Sequence, residues 1–252
     1  MENINDLMEL VKNNYMRADE QGCLNELEER KKQDALKFKG NVSAKIDSLM
    51  AISGVPKRFL NPKSAVKKFN LKQSYYIYGG VGTGKTDLAA AFLKEILLNV
   101  DPEIDDFGHF YIPRSFAVFV SAPAMFLNIR SIASGNETSE LDIVKKYAET
   151  RVLILDDLGT EKLSDWVIQT LYVIINKRYE NVLQTIITSN FTLQEIKDNF
   201  HEGIASRIKG MCESVELKGR DRRYVSKVIS LTTKAGGLTT REDKKEPDID
   251  II

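Results

Sequence analysis

Cysteine and histidine are scarce in this chain. Cys23 and Cys212 stand far apart, and the histidines, His109 and His201, lie near neither in a metal-ligand spacing. That argues against a disulfide framework or a zinc module, and a reduced, cytoplasmic setting is the expectation. Net charge is missing as well. The 36 Lys and Arg balance 36 Asp and Glu, so any binding to nucleic acid or to a membrane has to come from a local patch. No run of about 18 apolar residues is present to cross a bilayer. The start, Met1-Glu2-Asn3-Ile4-Asn5-Asp6, has neither the basic nor the apolar region of a signal peptide. What is present is ordinary: 42 % hydrophobic and 29 % charged residues over 252 positions suit one α/β domain with a small appendage.

The most informative stretch is Gly79-Gly80-Val81-Gly82-Thr83-Gly84-Lys85-Thr86, followed by Asp87. It comes after an apolar run, Tyr75 to Tyr78, that reads as a buried strand, and it opens into Leu88 to Leu98, which reads as a helix. Strand, glycine loop and helix in that order make a phosphate-binding loop. The glycines let successive backbone N–H groups converge on phosphate oxygens, and the helix N-terminus adds partial positive charge. Lys85 is expected to reach the β- and γ-phosphates of ATP, and Thr86 to place its hydroxyl on Mg²⁺.

A second signal is Val152-Leu153-Ile154-Leu155-Asp156-Asp157-Leu158-Gly159. Apolar residues form a central strand, and two carboxylates stand at its C-terminal end, where open α/β sheets bind ligands. Asp156 suits the Walker B task of holding the Mg²⁺ shell. Asp157 suits the group that polarises an attacking water. A further strand, Thr185 to Thr188, ends in Ser189-Asn190, and Asn190 is a candidate for holding that water or sensing the γ-phosphate. An Asx turn before the next helix is the plainer reading of Asn190.

Elsewhere the chain alternates strands and helices. Strands are expected at Phe116–Val120 and Ser214–Leu217, and helices at Pro123–Arg130, Glu140–Glu149, Leu163–Glu180, Leu193–Phe200 and Ile204–Gly210. This alternation predicts a doubly wound parallel sheet. The segment from Asn99 to Arg114 reads as polar and irregular. Residues 1–50 read as a helical region with an apolar stripe, Ile4, Leu7, Met8 and Val11, either packed on the main domain or offered to a partner protein. From Lys57 to Lys72 the chain holds Lys57, Arg58, Lys63, Lys67, Lys68 and Lys72 and no acid. With Lys209, these are candidates for a nucleic-acid backbone, or simply a solvated surface. Arg207, near the end of a helix, could reach a neighbouring subunit's nucleotide as an arginine finger or could serve in an ordinary ion pair. Residues 236–252 read as a polar tail beyond a 51–235 ATPase domain.

Taken together, these motifs resemble the AAA+ helicase loaders of the DnaC/DnaI group and the related IstB transposition ATPases. The matching pieces are Ser53-Gly54-Val55-Pro56-Lys57-Arg58-Phe59, the phosphate loop, Val120-Ser121-Ala122-Pro123, Leu153 to Gly159, Ile174 to Glu180, Ile187-Thr188-Ser189-Asn190 and Ser206-Arg207-Ile208. The resemblance runs over residues 52–230. It implies an ASCE-type five-stranded sheet in the order 5-1-4-3-2, with a truncated lid because so little chain follows the fifth strand. It also implies a sensor-1 role for Asn190, a finger role for Arg207 and a sensor-2-like role for Arg223, with Arg220 and Arg222 as alternatives. Residues 1–50 hold only Cys23 and no histidine, so the DnaI-type zinc site is not matched and the arm looks more DnaC-like. The resemblance further implies self-association through ATP-bridged interfaces, a replicative hexameric helicase bound by the N-terminal helices, and single-stranded DNA. An IstB-like helper of a transposase on double-stranded DNA is the alternative; a small-molecule kinase fits the paired acids and Asn190 less well, and a nucleotide-gated DNA-binding or scaffold protein with negligible turnover is a further class.

Overall fold

A computed structural model describes residues 29, 33, 34, 36–104, 110–131, 139–219 and 221. The helix expected over Ile4 to Val11, the arginines 220, 222 and 223, and the tail from residue 236 lie outside the described residues. The chain divides into two units, one of Met1–Lys45 with Leu98–Ile112, the other of Ile46–Leu97 with Pro113–Ile252. The first unit therefore takes in a segment that follows the phosphate-loop helix in sequence, which the expected boundary near residue 50 did not include.

Within the first unit, β2 (Glu103–Ile104) pairs antiparallel with β3 (Phe110–Tyr111). This hairpin falls inside the stretch read as irregular, because strands of two residues are too short to show an alternating pattern. Helix α1, residues 36–52, has residues in both units and buries Val42 of the first and Ile46 and Met50 of the second at four-residue spacing. It ends where the Ser53 N–H and hydroxyl both donate to the Leu49 carbonyl at 3.0 Å.

The second unit is built on a five-stranded sheet. Its strands are β1 (Ser74–Gly79), β4 (Ala117–Ser121), β5 (Val152–Leu158), β6 (Gln184–Ser189) and β7 (Cys212–Leu217), in the spatial order β4-β5-β6-β1-β7. Every pairing is parallel. Numbered by occurrence in this sheet alone, that order is the expected 5-1-4-3-2 read from the other edge. Helices α2 (Lys85–Asn99), α3 (Ala122–Ser131), α4 (Glu140–Glu149), α5 (Asp165–Glu180), α6 (Leu193–Asn199) and α7 (Glu202–Met211) connect the strands. Side chains alternate across the sheet. Tyr76, Leu153, Leu155 and Ile187 join one core with Met125, Ile129, Leu171, Ile174, Ile204 and Ile208. Tyr75, one residue earlier on β1, stacks instead on Phe92 of α2 at 4.8 Å. The sheet is thus covered on both faces, and its strands read as nearly continuous apolar runs for that reason.

One charged side chain sits in this packing. Arg178 of α5 is 0 % exposed. Its Nε donates to the Thr185 hydroxyl at 2.8 Å, Nη1 to the carbonyls of Tyr147 (3.0 Å) and Thr150 (2.8 Å), and Nη2 to the Gln184 carbonyl at 2.5 Å. The guanidinium thereby ties the C-terminus of α4, where carbonyls carry partial negative charge, to α5 and β6. Burial pushes its pKa down to about 9. Arg178→Ala would leave several buried carbonyls without donors and open a cavity, so denaturant unfolding should show a loss on the order of 4 kcal/mol. Arg178→Lys should recover little, since one ammonium cannot span the same acceptors. A loss below about 1 kcal/mol in the alanine variant would contradict this role.

Candidate functional site

Three chain segments meet at the C-terminal edge of β1, β5 and β6. The loop after β1 turns through Gly82 (φ 76°) and Gly84 (φ 101°), a left-handed backbone that favours glycine. The Gly84 carbonyl then accepts from Leu88 N–H at 2.9 Å, which starts α2 directly behind the loop. Lys85 is 6 % exposed. Its Nζ donates to the carbonyls of Gly79 (2.9 Å) and Gly80 (2.8 Å) and to Asn190 Oδ1 at 2.7 Å. The lysine expected to hold phosphate and the asparagine expected to sense it are therefore in direct contact.

On β5, Asp156 lies opposite Ser121 of β4 and is 5 % exposed. Thr86 donates its hydroxyl to Asp156 Oδ2 at 3.1 Å, and Thr188 of β6 donates to Oδ1 at 2.6 Å. The Thr188 hydroxyl in turn accepts from Asp157 N–H at 2.9 Å. Burial pushes the Asp156 carboxyl up to about 6, the neighbouring Asp157 adds to the rise, and the two hydroxyls and Lys85 oppose it. Asp157 has φ 56° at a register shift between Leu155 and Leu158. A non-glycine residue pays for that conformation, although aspartate tolerates it better than most.

The Asn190 segment is anchored on both sides. Ser189 donates its hydroxyl to the Leu158 carbonyl at 2.7 Å and accepts from Phe191 N–H at 3.0 Å, and Tyr76 donates to the Phe191 carbonyl at 2.7 Å. Thr188, Ser189, Tyr76 and Phe191 were not singled out in the sequence. The hydroxyls at the end of an apolar strand beside the acidic strand were the available signal.

Other expected residues fall elsewhere. The Asp87 carboxylate accepts from Lys63 N–H at 3.2 and 3.1 Å, and from Ser64 N–H (2.8 Å) and hydroxyl (2.7 Å), so it fastens the basic lead-in loop to α2. Arg207 of α7 packs on α5. Its Nε donates to Asn176 Oδ1 at 2.5 Å, Nη1 to the Gly203 carbonyl at 3.0 Å and Nη2 to the Tyr172 hydroxyl at 2.8 Å, with the guanidinium 4.6 Å from the Tyr172 ring centroid. None of these partners belongs to the phosphate loop. Asp221, also not singled out, brings its carboxylate against Gly82, where any Cβ would collide with it.

Thr83, Lys85 and the loop glycines suit the triphosphate of ATP, and the buried pair of Thr86 hydroxyl and Asp156 carboxylate is an all-oxygen donor set suited to Mg²⁺. The cation would repay the burial of Asp156. The sheet order and the loop are those of the P-loop AAA+ fold class.

Comparisons with known proteins agree with it. The family described as IstB-like ATP binding protein matches residues 110–230. The replicative helicase loader DnaI of Bacillus subtilis (strain 168) is 26 % identical over 163 residues, which are 59 % of this chain and 47 % of DnaI. A chromosomal replication initiator protein DnaA of Treponema pallidum is 28 % identical over 165 residues, 64 % of this chain and 31 % of that protein. The chain thus spans less than half the length of these curated relatives. The crystal structure of the DnaC helicase loader is similar with a TM-score of 0.50 and 27 % identity, covering 65 % of this chain and 100 % of that one. By these likenesses the chain is similar to the DnaC/DnaI-type AAA+ ATPases.

The Asp156 environment yields a stability test. Below about pH 4 the carboxyl is neutral whether the chain is folded or unfolded; above about pH 6 it is ionised in both, and its burial is then a full penalty. A rise of about two units corresponds to roughly 3 kcal/mol. Asp156→Asn keeps the hydrogen-bonding capacity, because the Thr86 hydroxyl can accept from an amide. Unfolding by urea without nucleotide should therefore show the variant more stable by about 1–3 kcal/mol at pH 8, with the gain shrinking as pH falls toward 4.5. Destabilisation at pH 8, or a gain independent of pH, would contradict the assignment.

Proposed function

We propose that this chain is an ATP-hydrolysing loader that binds a replicative hexameric helicase and delivers it to single-stranded DNA, with hydrolysis releasing the loader. The observation that carries the reading is the bond from Lys85 to Asn190, because it ties the phosphate-binding lysine to the strand-end residue that would meet attacking water. The likeness to the DnaC helicase loader and to DnaI supplies the class of partner.

In this reading, phosphate oxygens replace the Gly79 and Gly80 carbonyls and the Asn190 amide around the Lys85 ammonium. Asn190, released from the lysine, turns to the attacking water. Asp157 takes that water's proton as its oxygen bonds to the γ-phosphorus, and the bond to the β–γ bridging oxygen breaks to leave ADP and inorganic phosphate. Thr86 and Asp156 would hold Mg²⁺, which when bound would neutralise charge on the phosphates. Arg207 exchanges Asn176 and Tyr172 for the γ-phosphate bound to a neighbouring copy, so the nucleotide joins loader subunits and its loss separates them. The N-terminal region offers its apolar stripe to the helicase. Single-stranded DNA follows exposed basic side chains of the lead-in loop, Lys57, Arg58, Lys63, Lys67, Lys68 and Lys72, together with Lys209. Asp87 fixes the course of that loop next to the phosphate site.

The IstB-like family match favours one second reading, an ATPase helper for a transposase on double-stranded DNA. The two separate in a loading assay with the host's replicative helicase. The wild-type chain should form an ATP-dependent helicase complex and place helicase on single-stranded DNA. Asp157→Asn should form the complex without releasing it, and Arg207→Ala should lose turnover by at least about tenfold while nucleotide affinity stays within about threefold. Absence of a helicase complex, with stimulation by double-stranded DNA and a transposase instead, would overturn the loader reading in favour of the helper.

A further inference from the structure

Glu161 is a half-buried acid that neither the phosphate site nor the Mg²⁺ ligands account for. Its Oε2 accepts from Gly159 N–H at 3.0 Å. Burial holds its carboxyl above the usual carboxylate range, and the neighbouring loop backbone opposes that rise. Oε1 is buried and has no hydrogen-bond partner among the described residues. An acid in such a place keeps its charge only at the cost of desolvation, so a neutral turn residue would be the simpler choice if turn formation were all that mattered.

The turn it holds is the one that presents Asp157. Asp157 has φ 56° and Gly159 φ 98°, two left-handed residues in the short span that follows the Walker B carboxylate. Thr160 closes the turn from the other side, donating its hydroxyl to the Asp157 carbonyl at 2.9 Å. Gly159 lies under the Phe191 ring, where any Cβ would collide with it. Phe191 directly follows Asn190, and Ser189, directly before it, bonds to the Leu158 carbonyl. The turn is therefore fastened both to Asp157 and to the segment that carries Asn190.

We propose that Glu161 is a positioning residue for ATP hydrolysis: by pinning the Gly159–Glu161 turn, its carboxylate holds Asp157 in its left-handed conformation and in register with Asn190. The same hydrogen bonds argue against Glu161 being the base itself, since its carboxylate is turned into the loop backbone. This inference rests on the hydrolytic reading above and names the residue that orients its water-activating group.

The test is steady-state ATP hydrolysis by the full chain with Mg²⁺ and single-stranded DNA, alongside equilibrium binding of a fluorescent ATP analogue. Glu161→Ala should lower kcat by at least about tenfold, with KM and nucleotide affinity within about threefold of wild type. Glu161→Gln, whose amide oxygen can still accept from Gly159 N–H, should recover most of the rate. A merely structural role would lower the fraction of chain that binds nucleotide without changing kcat per bound site. Should Glu161→Ala fail to fold, Thr160→Val removes the opposite tether with little change in shape and should lower kcat by about three- to tenfold at unchanged affinity. Unchanged kcat in the folded variants, or no rescue by glutamine, overturns the inference. If the wild-type chain itself shows no turnover, the hydrolytic reading falls and this inference with it, an outcome distinct from turnover that survives Glu161→Ala.

Discussion

Everything at this site depends on where one ammonium group finds its acceptors. Lys85 sits at the start of α2, 6 % exposed, with its charge shared among two loop carbonyls and the Asn190 amide oxygen. Strong donors so placed need acceptors, and the loop glycines let the Gly79 and Gly80 carbonyls turn inward to serve. Phosphate oxygens carry more charge than carbonyl oxygens and compete for the same donors. The ammonium is therefore satisfied by acceptors that phosphate oxygens can displace.

The sheet supplies the geometry around that lysine. Parallel strands bring the ends of β1, β5 and β6 to one edge, so a loop, a pair of acids and an asparagine far apart in sequence meet there. Thr188 links the two acids, accepting from the Asp157 backbone while donating to Asp156. Asp156 pays for its burial, and the bulge at Asp157 spends conformational strain; both are costs concentrated where ligands would bind. Arg178 shows the opposite case. It is as deeply buried, but its charge is spread over carbonyls that hold α4, α5 and β6 together, and it is remote from the loop lysine's partners.

Much of this was legible in the order of residues. Apolar runs bounded by Gly79, Asp156 and Ser189 located three central strands, and the expected strand order agrees with the pairing observed. The phosphate loop was legible because its glycines serve backbone geometry, a purely local matter. The hairpin at 103–111 was not, because its strands are too short to carry a period. Nor were Thr188, Glu161 and the Tyr172–Asn176 cradle around Arg207 legible, because each acquires its role through a residue distant in sequence. A threonine in a strand and an arginine on a helix look alike whether they face solvent, core or site; only packing separates them.

The central claim is that the Lys85 ammonium passes from Gly79, Gly80 and Asn190 to the phosphates of ATP. Calorimetric binding of ATP with Mg²⁺ to the wild-type chain and to Lys85→Ala tests it most directly. The account predicts saturable, one-to-one binding by the wild type and a loss of at least about 100-fold in the variant, as expected when a charge-assisted phosphate contact is removed. A wild-type chain that binds no ATP, or a variant that binds it as tightly as the wild type, would contradict the account.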